Sequence, residues 1–396
     1  MTRGNGLGAS PFRDGVSLKC PSCGRDIAAS PATFRCPSCG SLLEVAYERR
    51  VLEDFAKSFG SLRGRGVWRY SAVLPLREGV RRISLGEGST PLIELREAGG
   101  RALAKYEGAN PTGSFKDRGM TVGMTLARAA GYGSVVVAST GNTAASAAAY
   151  AARAGLRCLV VVPRGKVAAG KLAQVALHGA EVIEVDGYFD RALEEALSRY
   201  APRGAYPLNS VNPWRLEGQK TLAFEVFEEI GVPDAVVVPV GNAGNIYAIW
   251  KGFAELVAAG LADRVPRMVG VQASGAAPLA SAWRAGLSEP AFVDEPKTVA
   301  SAIRIGRPVN WPRALRAVRS SGGTFVVVED DEILRALAHL ARREGIGVEP
   351  ASAAALAGYW KALEEGAVDR DEVAVLVLTG SALKDPAAVE LINSNV

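Results

Sequence analysis

From about residue 85 onward, short apolar runs alternate with longer stretches in which apolar residues recur at helical spacing. The short runs are rich in valine and bounded by turn residues, which indicates buried strands. Strands are predicted at residues 134–138, 158–162, 182–185, 235–240, 268–272 and 373–378. Helices are predicted at residues 120–130, 171–178, 191–200, 216–230, 246–259 and 332–344. This alternation predicts an α/β fold of parallel sheets covered by helices on both faces, in three layers.

Ligands of such sheets bind beyond the carboxyl ends of the strands, in the turns that precede the helices. The segment 110–119, Asn-Pro-Thr-Gly-Ser-Phe-Lys-Asp-Arg-Gly, is a tight turn that opens into the helix at 120–130. Lys116 therefore lies in the positive field of a helix N-terminus. This position suits an amine that gives up its proton and forms an imine with an aldehyde cofactor. The alternative is a solvent-facing lysine in the first turn of the helix.

Three further turns follow predicted strands. Residues 139–144, Ser-Thr-Gly-Asn-Thr-Ala, offer hydroxyl and N–H groups that suit a carboxylate. Residues 241–245, Gly-Asn-Ala-Gly-Asn, allow the backbone to approach a phosphate at a helix N-terminus. Residues 379–381, Thr-Gly-Ser, place hydroxyls at a strand end. Each turn alone is also typical of tight packing, whereas the four together, with a lysine in the first, predict one binding site.

Four of the five cysteines form two matching Cys-Pro-Ser-Cys-Gly segments, and twelve residues lie between Cys23 and Cys36. The four are Cys20, Cys23, Cys36 and Cys39. Four thiolates at this spacing predict a closed tetrahedral zinc site that stabilises a small ribbon and takes no part in chemistry. Two disulfides are the alternative, expected if the source is a hyperthermophile. Cys158 lies in an apolar run and is predicted to be a buried strand residue.

Apolar residues make up 48% and charged residues 22% of the 396 residues, as in ordinary globular proteins. The N-terminus is polar and glycine-rich, and no apolar run is long enough to cross a membrane, so a cytoplasmic enzyme is predicted. The net charge is +5, and 14 basic against 7 acidic residues fall in the first 82 positions. Because that basic segment lacks a stripe of clustered aromatic and basic residues, no nucleic-acid binding is predicted.

The chain resembles the threonine synthases, enzymes of fold type II (tryptophan synthase β-like) that depend on pyridoxal 5′-phosphate. The resemblance covers about residues 80–390 and rests on the segments 88–92, 114–119, 139–144 and 241–245. It extends to the segments 210–219, 302–306, 349–353 and 378–385. Some members carry a zinc ribbon ahead of the catalytic body, which fits the cysteine pattern. The resemblance implies two parallel-sheet domains and a homodimer.

Residue by residue, the resemblance implies that Lys116 holds the cofactor and then acts as acid and base. Asn142 is expected to hydrogen-bond the ring oxygen of the cofactor, and Thr379 to meet its pyridine nitrogen. The cofactor phosphate is expected on Gly241, Asn242, Ala243, Gly244 and Asn245. The substrate carboxylate is expected on Ser139, Thr140 and Thr143.

The implied reaction converts O-phospho-L-homoserine and water to L-threonine and phosphate, by loss of phosphate from Cγ and addition of water at Cβ. The substrate phosphate needs a cation, and Arg215 with Asn212 is the candidate pair. Alternatively, Arg215 is a surface residue that pairs with Glu217 or Glu225. Two other functions stay open. One is a different enzyme of this fold, such as a threonine/serine dehydratase or a cysteate synthase; the other is a binding protein without catalysis.

The same patterns predict how the chain is divided. A flexible tail is expected at residues 1–15, the zinc ribbon at 16–47, and a connector with the start of the large domain at 48–84. The catalytic body is predicted at 85–390. Within that body, the smaller subdomain is expected at about 120–205 and the larger one at about 85–119 and 206–390.

Overall fold

The computed structural model describes residues 10–164, 173–187, 189–386 and 392. Most of the predicted tail (residues 1–9) and the first two residues of the helix predicted at 171–178 lie outside the described residues, as do residues 387–390 of the predicted body. Among the described residues, no helix is long and apolar enough to cross a membrane.

The strands and helices alternate over most of the chain, as the hydrophobic pattern predicts. In chain order the strands are β1 (Val16–Lys19), β2 (Asp26–Ala28), β3 (Glu44–Tyr47), β4 (Leu92–Leu95), β5 (Ala102–Tyr106), β6 (Ser134–Ala138), β7 (Arg157–Pro163), β8 (Glu181–Val185), β9 (Ala205–Pro207), β10 (Ala235–Pro239), β11 (Arg267–Ala273), β12 (Thr324–Val328) and β13 (Ala374–Leu378). The α-helices are α1 (Arg49–Ser58), α2 (Lys116–Ala129), α3 (Asn142–Ala154), α4 (Ala173–Leu177), α5 (Phe189–Glu195), α6 (Pro213–Gln219), α7 (Thr221–Ile230), α8 (Gly244–Ala258), α9 (Pro278–Arg284), α10 (Trp311–Ser320), α11 (Asp330–Arg342) and α12 (Pro350–Glu364).

Every strand predicted from the sequence is present, and its ends differ from the prediction by at most one residue. The helices differ more. The helix predicted at 120–130 begins at Lys116, and the helix predicted at 216–230 is two helices, α6 and α7, with Lys220 between them. A π-helical turn, Ala196–Tyr200, forms the second half of the helix predicted at 191–200.

The larger sheet has the strand order β12-β11-β10-β13-β5-β4. Its strands pair in parallel except at the edge, where β4 runs antiparallel to β5. Adjacent residues of β10 face opposite cores. Val237 packs in a core that contains α11 and α12, whereas Val236 packs in a core that contains α7, α8 and α10. The sheet is therefore the middle of three layers, as predicted.

The smaller sheet has the order β8-β7-β6-β9 and is parallel throughout. Alternation along β6 again separates two cores. Val135 packs with α2 and α3, and Val136 packs with α5. The carboxyl ends of β6, β10 and β13 lead into the turns singled out by the sequence.

The N-terminal ribbon is an antiparallel sheet of order β2-β1-β3. Its apolar residues do not form a separate core. Leu18, Leu43 and Val45 belong to the same buried cluster as Trp214 of α6 and Tyr206 of β9. The ribbon is therefore packed directly on the catalytic body.

Candidate active site

A cavity of about 750 Å³ lies at the carboxyl ends of strands of the larger sheet and of the smaller sheet. Its wall brings together Lys116, Arg215, Thr379 and the turns at 139–143 and 241–245. These parts of the chain are distant in sequence, and the fold places them around one space. The ligand site expected from the turns is therefore a single cavity.

Lys116 is the first residue of α2, and its partly buried side chain reaches the cavity. Its amine lies 4.2 Å from the ring centre of Phe115 and has no hydrogen bond or ion pair among the described residues. Desolvation, and after it the positive charge of Arg215, lowers the pKa of this amine to about 7, while the charge of Glu349 opposes the shift. At neutral pH a large fraction of the amine is therefore unprotonated and able to act as a base or nucleophile.

Asp117 fixes the turn that carries Lys116. Its carboxylate accepts hydrogen bonds from the backbone N–H and the hydroxyl of Thr112, both at 2.7 Å, and from the hydroxyl of Ser146 on α3 at 2.5 Å. Burial raises the pKa of Asp117 to about 6, against these hydrogen bonds. The residue beside the lysine thus holds two helices together and leaves the amine free.

Arg118, the other neighbour of the lysine, is fully buried and binds two carboxylates. Its guanidinium donates to Glu107 at 2.6 and 2.8 Å and to Glu225 at 2.7 Å through two nitrogens. Such paired, charge-assisted contacts are among the stronger polar interactions in proteins. They fasten α2 to α7, so the lysine projects from a rigid base.

Asn142, the first residue of α3, contacts a residue to which the sequence gives no role. Its amide nitrogen donates to both carboxylate oxygens of Glu349, at 2.9 and 3.0 Å. Glu349 is 3% exposed and lines the cavity, and burial raises its pKa. The one sign in the sequence that could have pointed to Glu349 is that it begins the segment 349–353, which carries part of the family resemblance. It stands directly before the proline that opens α12.

The turn at 241–245 ends one strand and starts α8. Ala243 adopts a left-handed conformation with φ 64°, which is unusual for a residue other than glycine. A Cβ on Gly241 would lie 3.1 Å from the carbonyl oxygen of Ala302, so the residue at this position must be small. The side-chain nitrogen of Asn245 is buried without a partner among the described residues. The turn thus presents free donors at a helix N-terminus, where anions bind.

Ser139, Thr140 and Thr143 lie in the turn between β6 and α3, on the cavity wall. The hydroxyl of Ser139 accepts the backbone N–H of Gly141 at 3.2 Å. Asn209 supports the strand end, because its side chain exchanges two hydrogen bonds with the backbone of Ala138, at 2.9 and 2.8 Å.

Thr379 follows β13 and is 5% exposed in the cavity wall. Its hydroxyl lies 3.0 Å from the hydroxyl of Ser352 on α12. Its carbonyl accepts the backbone N–H of Phe115 at 3.1 Å, which joins this turn to the one that carries Lys116.

Arg215 is 2% exposed and lines the cavity, so it is not a surface arginine. One guanidinium nitrogen, Nη1, donates to the carbonyl of Leu208 at 2.8 Å, and the other two nitrogens have no partner among the described residues. Desolvation lowers its pKa to about 10, which leaves it charged at neutral pH. The carboxylates proposed as alternative partners are engaged elsewhere, Glu217 by Lys220 and Glu225 by Arg118.

Asn212 is not brought into the cavity wall with Arg215. It is fully buried as the N-cap of α6, and its side-chain oxygen accepts the N–H of Trp214 at 3.0 Å. Its side-chain nitrogen donates to the carbonyl of Pro207 at 2.9 Å. Because both ends of the amide are used, Asn212 supports the helix of Arg215 in this structure instead of facing a ligand.

The four N-terminal cysteines converge. The ligand atoms of Cys20, Cys23, Cys36 and Cys39 all lie within 4.8 Å of one another. Two sulfur pairs are 3.4 and 3.6 Å apart, far longer than a disulfide bond. In each segment the glycine after the second cysteine, Gly24 or Gly40, takes a positive φ and donates to the carbonyl of the first cysteine. Four sulfurs at these separations fit a tetrahedral zinc ion.

Comparison with known proteins agrees with this arrangement. Residues 83–380 match the family described as pyridoxal-phosphate dependent enzyme. The chain is 51% identical over 379 residues to a threonine synthase of Methanocaldococcus jannaschii, covering 93% of both chains. It is 47% identical to a threonine synthase of Methanosarcina acetivorans, covering 94% of this chain and 93% of that one.

Solved structures agree on the fold. An L-serine ammonia-lyase of Rhizomucor miehei has a TM-score of 0.67 at 20% identity, over 80% of this chain and 99% of that chain. A threonine deaminase of Solanum lycopersicum has a TM-score of 0.66 at 23% identity, over 77% and 87% of the two chains. At these identities the likeness concerns the arrangement of strands and helices.

Proposed function

The chain belongs to the threonine synthase family of pyridoxal-phosphate-dependent enzymes, and we propose from this premise that it converts O-phospho-L-homoserine and water to L-threonine and phosphate. The observation that carries the choice of substrate is the buried guanidinium of Arg215, which shares a cavity with Lys116 and has two nitrogens without a partner in the described part of the chain. A charged group of this kind suits a substrate that brings a phosphate of its own, in addition to the phosphate of the cofactor.

The groups around the cavity fit pyridoxal 5′-phosphate. The turn at 241–245 offers the N-terminus of α8 and the unpaired amide of Asn245 to the cofactor phosphate. The side-chain nitrogen of Asn142 carries two hydrogens. One of them can serve both oxygens of Glu349, and the other is left for the ring oxygen of the cofactor. When bound, the cofactor supplies an electron sink for negative charge that develops on the substrate next to its amine.

Thr379 is the proposed neighbour of the pyridine nitrogen. Its hydroxyl is oriented by Ser352 at 3.0 Å. A hydroxyl, unlike a carboxylate, does not favour a protonated ring. Proton transfer is then left to the lysine.

Lys116 is proposed to move the protons. Its pKa of about 7 gives it an unprotonated amine that can remove the proton from Cα and then one from Cβ of the substrate. The C–O bond at Cγ breaks as phosphate leaves, and Cγ gains a proton to become the methyl group. Water then supplies the hydroxyl at Cβ, and Lys116 returns a proton to Cα.

The two ends of the substrate are proposed to bind on opposite sides of this lysine. Ser139, Thr140 and Thr143 would hold the carboxylate with hydroxyls and the N–H groups at the start of α3. Arg215 would hold the leaving phosphate with its two unpaired nitrogens. Asn212 would act on the phosphate indirectly, by capping the helix that carries Arg215.

Zinc is proposed at Cys20, Cys23, Cys36 and Cys39, with a structural role, because four thiolates leave no open position for water. We also propose that the enzyme is cytoplasmic, which fits described cysteines that form no disulfide. We also propose that the enzyme is a homodimer. We propose a smaller subdomain at about 120–205 and a larger subdomain at about 85–119 and 206–390. The smaller sheet, built from residues between Ser134 and Pro207, supports the subdomain division.

The deciding experiment measures phosphate release and threonine formation with O-phosphohomoserine, beside O-phosphoserine, serine and threonine as substrates. Equal amounts of phosphate and threonine from O-phosphohomoserine are expected. Formation of a keto acid and ammonia from serine or threonine, without turnover of O-phosphohomoserine, would instead identify a dehydratase. Sulfite-dependent turnover of O-phosphoserine would identify a cysteate synthase.

A further inference from the structure

Two of the contacts between the ribbon and the catalytic body are made through the helices α6 and α10. On α6, the indole N–H of Trp214 donates to the carbonyl of Ser30 at 3.2 Å, and its ring lies 4.5 Å from that of Phe12. On α10, Arg313 donates to the carbonyl of Leu43, the residue before β3. The contact through α10 continues inward to the turn at 241–245.

Arg313 bridges the ribbon and a buried asparagine. Its side chain is 3% exposed. While Nη2 donates to Leu43, Nη1 donates to the side-chain oxygen of Asn310 at 2.5 Å. Its Nε lies 3.5 Å from a carboxylate oxygen of Glu44. The guanidinium therefore uses its planar fork to hold two oxygen atoms in fixed directions.

Asn310 in turn holds the turn at 241–245. Its backbone N–H donates to the carbonyl of Asn242 at 3.2 Å, and the N–H of Val309 donates to the side-chain oxygen of Asn242 at 3.3 Å. The side-chain nitrogen of Asn310 donates to the carbonyl of Ser210 at 3.2 Å. Asn310 thus joins the turn of the cofactor phosphate to the segment that leads into α6.

The backbone conformation of this turn shows why it needs support. Ala243, directly after Asn242, takes a left-handed conformation that costs energy in a residue with a side chain. Neither Arg313 nor Asn310 is part of the cavity wall. Their contacts therefore act on the shape of the turn and not on a ligand.

We propose that Arg313 is a positioning residue for the phosphate of the cofactor. Its guanidinium holds the side-chain oxygen of Asn310, and the backbone N–H of Asn310 holds the carbonyl of Asn242. These contacts keep the N–H groups of the turn directed at a phosphate monoester. Through Leu43 the same guanidinium ties this turn to the ribbon, so the ribbon supports cofactor binding. The inference rests on the proposed function, because it requires residues 241–245 to be the phosphate site.

The test compares the dissociation constants of pyridoxal 5′-phosphate and of pyridoxal, which lacks the phosphate, in the cofactor-free enzyme. The variants are Arg313→Leu and Arg313→Lys. Arg316→Leu is the matched control, because Arg316 lies on the same helix and pairs with Glu44 at 2.5 Å. Zinc content and thermal unfolding are measured for each variant.

Arg313→Leu should weaken pyridoxal 5′-phosphate binding on the order of tenfold or more, the scale of a lost hydrogen bond to a charged group. Pyridoxal binding should change little, and Arg316→Leu should resemble the parent. Arg313→Lys keeps the charge but not the fork, so it should show an intermediate loss, and it carries the test if the leucine variant does not fold.

An equal loss for both ligands, no loss for either, or the same loss in Arg316→Leu would overturn the role of Arg313. A parent enzyme that binds both ligands equally would overturn the assignment of residues 241–245 as well, and with it part of the proposed function.

Discussion

Arg215 and Lys116 are two cationic side chains that face the same cavity, and neither forms an ion pair among the described residues. Desolvation, followed by the charge of Arg215, lowers the pKa of Lys116 to about 7. A phosphate bound to Arg215 would neutralise part of that charge and raise the pKa of the lysine. If Arg215 holds the substrate phosphate as proposed, binding of that phosphate and protonation of Lys116 are coupled through space.

The pH dependence of Lys116 follows from this relationship. In the cofactor-free enzyme, the rate at which Lys116 links to pyridoxal 5′-phosphate should rise with pH and level off above about 7, since the unprotonated amine is the reactive form. Arg215→Leu should move the midpoint to higher pH, because it removes a charge that disfavours protonation. Arg215→Lys keeps the charge and should stay closer to the parent. Mass spectrometry after borohydride reduction measures the rate, and an unchanged midpoint in Arg215→Leu would contradict the coupling.

Arg215→Leu should also impair recognition of the substrate phosphate. The expected cost is about 2–4 kcal/mol in kcat/KM for O-phosphohomoserine, the scale for removing one partner of a buried charge pair. The absorbance of the bound cofactor and weak dehydration of serine should remain. Arg304→Leu is the control, since it removes an exposed arginine from the mouth of the same cavity. Parent-like turnover of O-phosphohomoserine by Arg215→Leu would mean that another cation holds the leaving group.

Lys116→Ala should abolish turnover and leave the fold intact, because the amine forms no hydrogen bond or ion pair with the described residues. In the parent, borohydride should fix the cofactor on Lys116, as peptide mapping can show. Lys105 and Lys220 are buried in ion pairs with glutamates and should remain unlabelled. A label on either of them would show that the cofactor is held elsewhere.

Gly244→Val should weaken cofactor retention. A Cβ at this position already lies 3.3 Å from Leu216 Cδ2 and 3.5 Å from Asn310 Nδ2, so the branched side chain of valine must displace the turn. Dialysis followed by absorbance measures the retained cofactor. Gly133→Val is the control, because no atom of the described residues lies within 4 Å of a Cβ there. Full retention by Gly244→Val would place the phosphate outside this turn.

Metal analysis should find about one zinc per chain, and zinc removal should unfold the ribbon, since structural zinc contributes on the order of 10–16 kcal/mol in finger peptides. The indole N–H of Trp214 donates to the carbonyl of Ser30 in the ribbon at 3.2 Å, so the fluorescence of Trp214 should change when the ribbon unfolds. Trp214→Phe identifies the contribution of this tryptophan. Native protein with two disulfides and no metal would contradict the zinc site.

The sequence predicted the buried strands well, because runs such as Ser134–Ala138 carry their own pattern. It missed β4, β5, β9 and β12, and of these β5 consists of Ala-Leu-Ala-Lys-Tyr and has Lys105 in its interior. The burial of that lysine is compensated by ion pairs at 3.1 Å with Glu225 and Glu229, which are distant in sequence. Partners of this kind cannot be read from a local pattern, so the strand was not predicted.

The candidate site also contains some residues that the sequence predicted and others that it did not. The turn at 241–245, which is proposed to bind the cofactor phosphate through backbone N–H groups, has a local sequence signature and was predicted to be a turn between a strand and a helix. Glu349 and Arg313 were not given roles, because their contacts with Asn142 and with Leu43 join segments that are far apart along the chain. Asn212 was given a ligand role because of its position beside Arg215, whereas the structure uses it as a helix cap.

Helix α6 contacts three parts of the molecule: the ribbon, the cavity and helix α2. Trp214 meets the ribbon, Arg215 meets the cavity, and a Cβ on Gly218 would lie 1.7 Å from the carbonyl of Arg118. A lineage that discarded the ribbon would leave a large indole in water and would have to replace it with a polar residue. The residue type at this position in a related protein would therefore indicate whether that protein still carries a docked ribbon. The ribbon and the catalytic body are thus packed as one structural unit, although they look separable along the chain.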